Sequence, residues 1–212
     1  MLFVLTGDIQ IGKSRWLEQV VADLGRQGVS CAGVIAPGVW RPCDQQPPEA
    51  LVVGAKPGDP YEKRGIDNVM LPQGQRVRFA DRRDLARRQT EVSHGMGWVF
   101  YPQAIDCVND HFAKLRAHAA DADARSGDMP GLLVVDELGR LELLRNEGLT
   151  QALALLDQGP TDCWPHAVIV VRNSLKDRAV ERFSPSWSHI AVIGPTEESR
   201  RRIFALFPNR LL

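Results

Sequence analysis

The sequence lacks an excess of either charge. Lysine and arginine total 26, and aspartate and glutamate also total 26, so the formal net charge is zero. A domain that binds nucleic acid usually carries a basic surface that neutralises phosphates, and this balance gives no support to such a surface. We therefore expect no nucleic-acid partner.

The sequence also lacks long apolar runs and clustered cysteines. It contains no stretch of about 18 apolar residues, so we expect no membrane-spanning helix. A motif-bearing segment begins within the first ten residues, so we expect no signal peptide. The wide cysteine spacing, with no C-x-x-C pair, disfavours a zinc site and a disulfide framework. These absences favour a cytoplasmic protein; the cysteines are Cys31, Cys43, Cys107 and Cys163.

The chain does contain enough apolar residues for one sizeable core. Its 212 residues are 44% hydrophobic and 25% charged, as in ordinary globular domains. We expect a single domain over residues 1–212, with a lid or antiparallel insertion over about 37–80. Proline and glycine are concentrated between Pro37 and Pro60, where we predict loop apart from a short strand at 51–53.

The segment from Gly7 to Ser14 fits the phosphate-binding pattern G-x-x-x-x-G-K-[ST]. An apolar run precedes it, and apolar residues at helical spacing follow it. Such glycines let consecutive N–H groups point at phosphate oxygens, and the helix N-terminus adds positive potential. Lys13 is predicted to reach the β- and γ-phosphates, and Ser14 to bind Mg²⁺. The predicted nucleotide-binding residues here are Gly7, Asp8, Ile9, Gln10, Ile11, Gly12, Lys13, Ser14 and Arg15.

Two acids end a second apolar run. Asp136 and Glu137 directly follow the four apolar residues 132–135. Ligands of open α/β sheets bind at the carboxyl ends of the strands, so we expect these acids beside the phosphate loop. Asp136 is predicted to hold Mg²⁺, directly or through its water. Glu137 is predicted to contact the water that attacks the γ-phosphate.

Apolar runs near residues 2, 30, 132, 167 and 189 alternate with helical patterns. This alternation predicts a three-layer α/β fold, with a mainly parallel sheet and helices on both faces. A small antiparallel β addition is expected to include a hairpin in which 68–71 and 76–79 flank a turn. Ser174 and Thr196 are predicted to cap the two C-terminal helices.

The octapeptide 136–143, Asp-Glu-Leu-Gly-Arg-Leu-Glu-Leu, resembles the Asp-Glu-Ile-Gly-Lys-Met-Glu-Leu signature of the small P-loop nucleoside-triphosphatases. The segments 64–67 and 74–76 are similar to the family's arginine–glycine and Gly-Glu-Arg segments. Residues 39–41, Val-Trp-Arg, depart from its Glu-Val-Arg because the acid is missing. The family that the chain resembles includes the cancer-related nucleoside-triphosphatase. The resemblance implies a P-loop NTPase fold and slow, Mg²⁺-dependent hydrolysis of several nucleoside triphosphates.

P-loop ATPases often need a further cation for the transition state. Arg41 and Arg64 are predicted to be catalytic, and Arg76 is a third candidate, because all three lie in or beside the expected lid. Two further contacts are predicted to the nucleotide. Asn173, or its neighbour Arg172, follows a buried run, and Arg200 follows the last strand.

The sequence therefore predicts a Mg²⁺-dependent nucleoside triphosphatase that hydrolyses ATP- or GTP-type nucleotides to diphosphate and phosphate. Two alternatives stay open. A nucleotide or small-molecule kinase would use the same loop, with Asp136 or Glu137 accepting a substrate hydroxyl's proton. A slow nucleotide-dependent switch or assembly factor would bind nucleotide and scarcely turn it over.

Overall fold

A computed structural model of the chain describes residues 1–8, 11–42, 60–86, 97–121 and 130–208. Within these residues, nine strands form one mixed sheet in the order β6-β5-β4-β2-β7-β8-β1-β9, with β3 paired to β4. The strands are β1 (Leu2–Leu5), β2 (Cys31–Ile35), β3 (Gly38–Pro42), β4 (Tyr61–Leu71), β5 (Gln75–Arg82), β6 (Trp98–Phe100), β7 (Leu132–Leu138), β8 (His166–Val171) and β9 (Ile190–Ile193). The α-helices are α1 (Lys13–Arg26), α2 (Pro102–Ala120), α3 (Thr150–Asp157), α4 (Lys176–Phe183) and α5 (Glu197–Phe204).

The five strands predicted from apolar runs are parallel. Strand β1 lies between β8 and β9, and β7 lies between β2 and β8, all in parallel register. Their near-continuous Val, Ile and Leu content suits strands that are covered on both faces. The carboxyl ends of β1, β7 and β8 therefore meet at one edge of the sheet, which we call the carboxyl edge.

Helices cover both faces of this sheet. Leu2 and Val4 of β1 pack in one buried cluster, while Phe3 and Leu5 pack in the other. This alternation is the two-residue period of a strand. The first cluster contains buried side chains of α2, α3 and α4, and the second contains those of α1 and α5. The predicted three-layer α/β fold is confirmed.

The antiparallel addition continues the same sheet. Strand β4 runs antiparallel to β2, with Ile35 opposite Val69, so residues 61–68 extend beyond the carboxyl end of β2. Strand β3 pairs with that extension. We call β3 together with residues 61–66 of β4 the arm. The predicted hairpin is confirmed, since β4 and β5 pair on either side of a tight turn.

The prediction of loop directly after Pro37 is wrong, because residues 38–42 form strand β3. Proline is tolerated there because Pro42 ends a strand at the sheet's edge, and Val39 and Trp40 favour extended backbone. The possible strand at 51–53 lies outside the described residues.

The two predicted helix caps had different outcomes. Thr196 Oγ1 accepts a hydrogen bond from the Ser199 N–H at 3.2 Å, which confirms it as the cap of α5. Ser174 is not the cap of α4, because it lies inside a 3₁₀ turn, Asn173–Leu175, that leads into the helix. None of the described helices combines the length and apolar character needed to cross a bilayer.

Candidate active site

The phosphate loop joins β1 to α1 at the carboxyl edge. Gly12 has φ +88°, a left-handed conformation that favours glycine, and directly precedes the first residue of α1. The Lys13 ammonium donates to the Gly7 carbonyl at 2.9 Å and to the Asp8 carbonyl at 2.7 Å. The ammonium thus lies over the loop, where the motif predicts phosphate. Ile9 and Gln10 lie outside the described residues.

Asp136 is buried at the end of β7, with 1% of its surface exposed. Its Oδ2 accepts a hydrogen bond from the Ala36 N–H at 3.0 Å, and its Oδ1 has no hydrogen-bond partner. Burial, helped by the neighbouring Glu137 charge, raises the pKa of Asp136 to about 7, while the Ala36 N–H and the Ser14 hydroxyl act against this rise. The carboxylate is therefore buried beside a P-loop hydroxyl with one oxygen left unsatisfied.

These donors fit a hydrated Mg²⁺ ion. Mg²⁺ prefers oxygen ligands and keeps part of its water shell, and it usually binds through one or two carboxylates together with substrate phosphates. Ser14 and Asp136 supply oxygen donors on adjoining elements, and the unpartnered Asp136 Oδ1 is an acceptor that a metal-bound water would satisfy. These two residues would hold the metal.

A β-bulge directs Glu137 away from Asp136. Val135 pairs with Ile169 and Leu138 pairs with Val171, so β7 contains one extra residue between these pairs. Glu137 has φ +64°, an uncommon conformation for a non-glycine residue and one that is concentrated at functional sites. Its side chain is 38% exposed, whereas Asp136 is buried. One acid therefore faces the core beside Ser14, and the next is accessible to solvent.

Charges from the phosphate loop and from the segment after β8 act near this acid pair. Burial lowers the pKa of Lys13, while Glu137 and then Asp136 raise it and Arg172 lowers it further. Arg172 directly follows β8, so its charge acts at the carboxyl edge. Of the two adjacent residues predicted to contact the nucleotide, Arg172 is the one whose charge acts on Lys13. Asn173 is exposed at the start of the 3₁₀ turn, and its contact with nucleotide stays a prediction.

Lys63 also belongs to the candidate site, although it is not among the residues predicted from the sequence. Its ammonium lies 3.6 Å from Glu137 Oε1 and 5.4 Å from the centre of the Trp98 ring. It comes from the arm, far from the acid pair in sequence, and no motif connects the two segments. The only sequence signal for this residue is a lysine within the predicted lid.

Two of the three predicted arginines make contacts within the antiparallel strands. Arg64 Nε lies 3.2 Å from Glu62 Oε1, and Arg76 Nη1 lies 3.1 Å from Asp67 Oδ2. Arg41 is exposed on β3. Their catalytic roles stay predictions.

Arg200 also has another partner. Its Nη2 lies 2.5 Å from Asp23 Oδ2, and its guanidinium stacks on the Phe204 ring at 4.5 Å. Asp23 is ten residues after Lys13 on α1, about 15 Å by helical rise. The cation therefore contributes to packing between α1 and α5, and its contact with a base stays a prediction.

Glu142 of the octapeptide fastens the segment that follows the acid pair. Its carboxylate accepts hydrogen bonds from the Gly139 N–H at 2.8 Å and the Leu149 N–H at 3.1 Å. Burial raises its pKa. Between these two contacts lies a π-helical turn, Leu141–Arg145, and such turns are frequent at functional sites. Glu142 thus ties the end of β7 to the start of α3.

Two solved structures share this fold. The chain is similar to the crystal structure of THEP1 from the hyperthermophile Aquifex aeolicus, with 14% identity over 99% of this chain and 100% of that chain and a TM-score of 0.62. It is also similar to the solution structure of a human cancer-related nucleoside triphosphatase, with 19% identity over 96% of this chain and 93% of that chain and a TM-score of 0.55. No family model and no curated protein sequence matches the chain. At these identities the likeness confirms the resemblance stated above at the level of the fold.

Proposed function

We propose that this chain is a Mg²⁺-dependent nucleoside triphosphatase, in one domain spanning residues 1–212. The observation that carries the proposal is the convergence of the phosphate loop and the acid pair at the carboxyl edge. Lys13 lies over the loop, Ser14 acts on the Asp136 carboxylate, and Glu137 is exposed beside them. The human nucleoside triphosphatase of similar fold supports the reaction class.

The phosphate loop would bind the nucleotide and stabilise its charge. The loop N–H groups and Lys13 would neutralise the β- and γ-phosphate oxygens, and their effect would increase as negative charge develops toward the leaving diphosphate. Ser14 and Asp136 would hold Mg²⁺, which would supply positive charge to offset the charge of the phosphates. Asp136 Oδ1 is buried without a hydrogen-bond partner, so this cation would interact with it without displacing an existing hydrogen bond.

Glu137 would orient and deprotonate the attacking water. The water oxygen bonds to the γ-phosphorus, and the bond between that phosphorus and the β,γ-bridging oxygen breaks. Glu137 takes the proton that the water loses, and the products are nucleoside diphosphate and inorganic phosphate. Its position in a bulge gives the carboxylate a direction different from that of Asp136.

One observation favours the kinase alternative enough to keep it. Trp40 of the arm is 39% exposed, and it pairs with Lys63, which contacts Glu137. An exposed aromatic ring near the predicted γ-phosphate is a suitable surface for an acceptor molecule. In that reaction Glu137 or Asp136 would take the acceptor hydroxyl's proton instead of a water proton.

A phosphate-release assay across ATP, GTP, CTP and UTP, with Mg²⁺ and with EDTA, tests the proposal. We expect free phosphate and nucleoside diphosphate in equal amounts without an added acceptor, and no phosphate release in EDTA. Nucleotide binding without phosphate release would argue for the kinase or switch alternatives. Phosphate transfer that appears only with added nucleosides or nucleotides would identify a kinase.

The cellular setting is part of the same proposal. Cys31 and Cys107 are free thiols, and burial raises the pKa of Cys31 to about 12. A buried thiol of this kind is inert and suits a reducing compartment. We propose a cytoplasmic location on this basis.

A further inference from the structure

Lys63 is held in a fixed direction by its packing. Its side chain is 15% exposed, less than the 27% of the neighbouring Arg64. The lysine stem passes directly over Gly38, since a Cβ on that glycine would stand 2.8 Å from Lys63 Cε. The ammonium then lies 5.4 Å from the centre of the buried Trp98 ring, within cation–π range. This arrangement places a partly desolvated positive charge at a defined point above the carboxyl edge.

The contact with Glu137 leaves this ammonium available. The 3.6 Å from Nζ to Oε1 is an ion pair, but it exceeds the length of a hydrogen bond. The described part of the chain gives Lys63 no hydrogen-bond acceptor. An ammonium has three donors and favours charged oxygen acceptors. A phosphate oxygen bound beside Glu137 would supply the hydrogen-bond acceptor that the described residues do not give Lys63.

The other described cations of β4 and β5 are engaged elsewhere. Arg64 pairs with Glu62, and Arg82 pairs with both Glu62 and Asp84. Arg76 and Arg78 both pair with Asp67. Among the ion pairs of the described antiparallel strands, that of Lys63 is the one that reaches the acid pair. The register shift of the arm places Lys63 and Arg64 differently. Trp40 pairs with Lys63 and Val39 pairs with Gly65, so Arg64 lies opposite no residue of β3.

The γ-phosphate would lie within reach of this lysine. Among the charged groups that shift the pKa of Lys13, Glu137 has the strongest effect, and Lys63 lies 3.6 Å from the same carboxylate. Glu137 therefore interacts with two ammonium groups, one from the phosphate loop and one from the arm. Since Lys13 is aimed at the β- and γ-phosphates, the terminal phosphate belongs between these groups.

We propose that Lys63 is a catalytic residue, the cation with which the arm contacts the γ-phosphate and stabilises its charge in the transition state. The assignment rests on the proposed function, because it assumes a triphosphate in the loop. It replaces the predicted arginines with a lysine, and it gives the arm a chemical role. A cation of this kind acts on the terminal phosphate and leaves the β-phosphate contacts unchanged.

The test compares two nucleotides that differ by the γ-phosphate. The affinities of ADP and of a non-hydrolysable ATP analogue with an imido β,γ-bridge are measured by calorimetry with Mg²⁺. The key variant is Lys63→Met, which keeps the unbranched stem over Gly38 and Trp98 and removes the charge. Lys63→Arg restores a charge, and Lys114→Met on the exposed face of α2 is the matched lysine control. Thermal unfolding of each variant checks that it is folded.

We expect Lys63→Met to weaken binding of the triphosphate analogue by about 10- to 100-fold, while ADP affinity changes less than about twofold. Its kcat for ATP should fall by roughly 10²–10³-fold. Lys63→Arg should recover part of both losses, and Lys114→Met should behave as the parent chain. If Lys63 had only a structural role, its substitution would change the affinities for both nucleotides equally or would change neither.

Two failures are distinguishable. If Lys63→Met loses affinity for ADP and the analogue equally, or loses none, the assignment of Lys63 is wrong while the proposed function stands. If the parent chain binds neither nucleotide, the proposed function fails and the assignment fails with it. A folded Lys63→Arg variant that recovers nothing would also argue against a role based on charge.

Discussion

The parallel and antiparallel parts of the sheet use charge in different ways. At the carboxyl edge of the parallel strands, Lys13, Asp136 and Glu137 lie together, and Asp136 keeps an oxygen without a partner. In the antiparallel strands, Arg82 and Arg78 are each paired with two carboxylates. The parallel part leaves charge for a ligand to neutralise, whereas the antiparallel part neutralises its own. Lys63 is the exception, because it is an arm residue that faces the parallel edge.

The largest expected effect comes from the exposed acid of the parallel edge. Glu137→Gln keeps the size of the side chain but cannot take a proton, so kcat should fall by roughly 10²–10⁴-fold with nearly normal Mg²⁺-ATP affinity. Steady-state phosphate release together with calorimetry at saturating Mg²⁺ measures both quantities. Full turnover in this variant would remove Glu137 from the role of base.

The buried acid provides the matched contrast. Asp136→Asn removes the charge that Mg²⁺ would use, so nucleotide affinity should depend much less on Mg²⁺, and turnover should fall as well. Affinity titrations with Mg²⁺ and with EDTA measure the difference between the two conditions. If Asp136→Asn and Glu137→Gln gave the same pattern, the separation of the two acids by the bulge would have no functional meaning.

The next effect concerns the phosphate loop. Lys13→Ala removes the side-chain cation that lies over the loop, so ATP affinity should weaken by roughly 1.5–3 kcal/mol, the contribution of a hydrogen bond to a charged group. Calorimetry on the folded variant measures this loss. Unchanged affinity would contradict the assignment of residues 7–14 as a phosphate site.

A change in the antiparallel part should affect stability instead. Arg82 is 8% exposed, and its guanidinium bonds Glu62 at 2.6 Å and Asp84 at 2.7 Å. Arg82→Met leaves these carboxylates without that partner and should lower the free energy of unfolding by about 1–3 kcal/mol. Denaturant unfolding measures the loss, and ADP affinity should not change. A variant of unchanged stability with weakened ADP binding would reverse the comparison between the two parts.

The smallest effect is a pH dependence at the junction between them. His111 Nε2 lies 3.1 Å from the Gly33 carbonyl, and the Leu71 backbone also interacts with the ring. Burial lowers the pKa of His111 from its ordinary value of 6.5. Below that value the unfolded chain takes up a proton more readily than the folded chain, so stability falls as the pH drops.

Relative to the parent chain, His111→Gln should therefore lose less stability as the pH drops from about 7.5 to about 5.5, a range in which histidine titrates. The slope of the parent chain also contains opposing contributions, because burial lowers the pKa of His166 and raises that of Asp136. Thermal melts of both chains across this range measure the slope. An identical slope in the parent and the variant would show that His111 has the same pKa in the folded and unfolded chains.

The same contrast explains what the sequence could predict. The candidate residues of the parallel part can be predicted from short stretches of sequence. The glycine loop between a strand and a helix is one such motif, and the two acids after an apolar run are the other. The chemistry of the arm depends on register. Lys63 meets the acid pair where β4 has a register shift near Arg64 and β7 has the bulge at Glu137, and neither irregularity has a local sequence signal. Strand β3 was missed for a related reason, because proline marks loop more often than a strand end.

The account is tested most directly by a crystal structure of the chain with ADP, Mg²⁺ and aluminium fluoride, which mimics the phosphoryl group in transfer. We predict the ADP phosphates in the loop 7–14, the metal held at Ser14 and Asp136, and the fluoride group within hydrogen-bond distance of Lys63 and facing Glu137. Phosphates bound elsewhere on the molecule, or a metal that does not involve Asp136, would contradict the account.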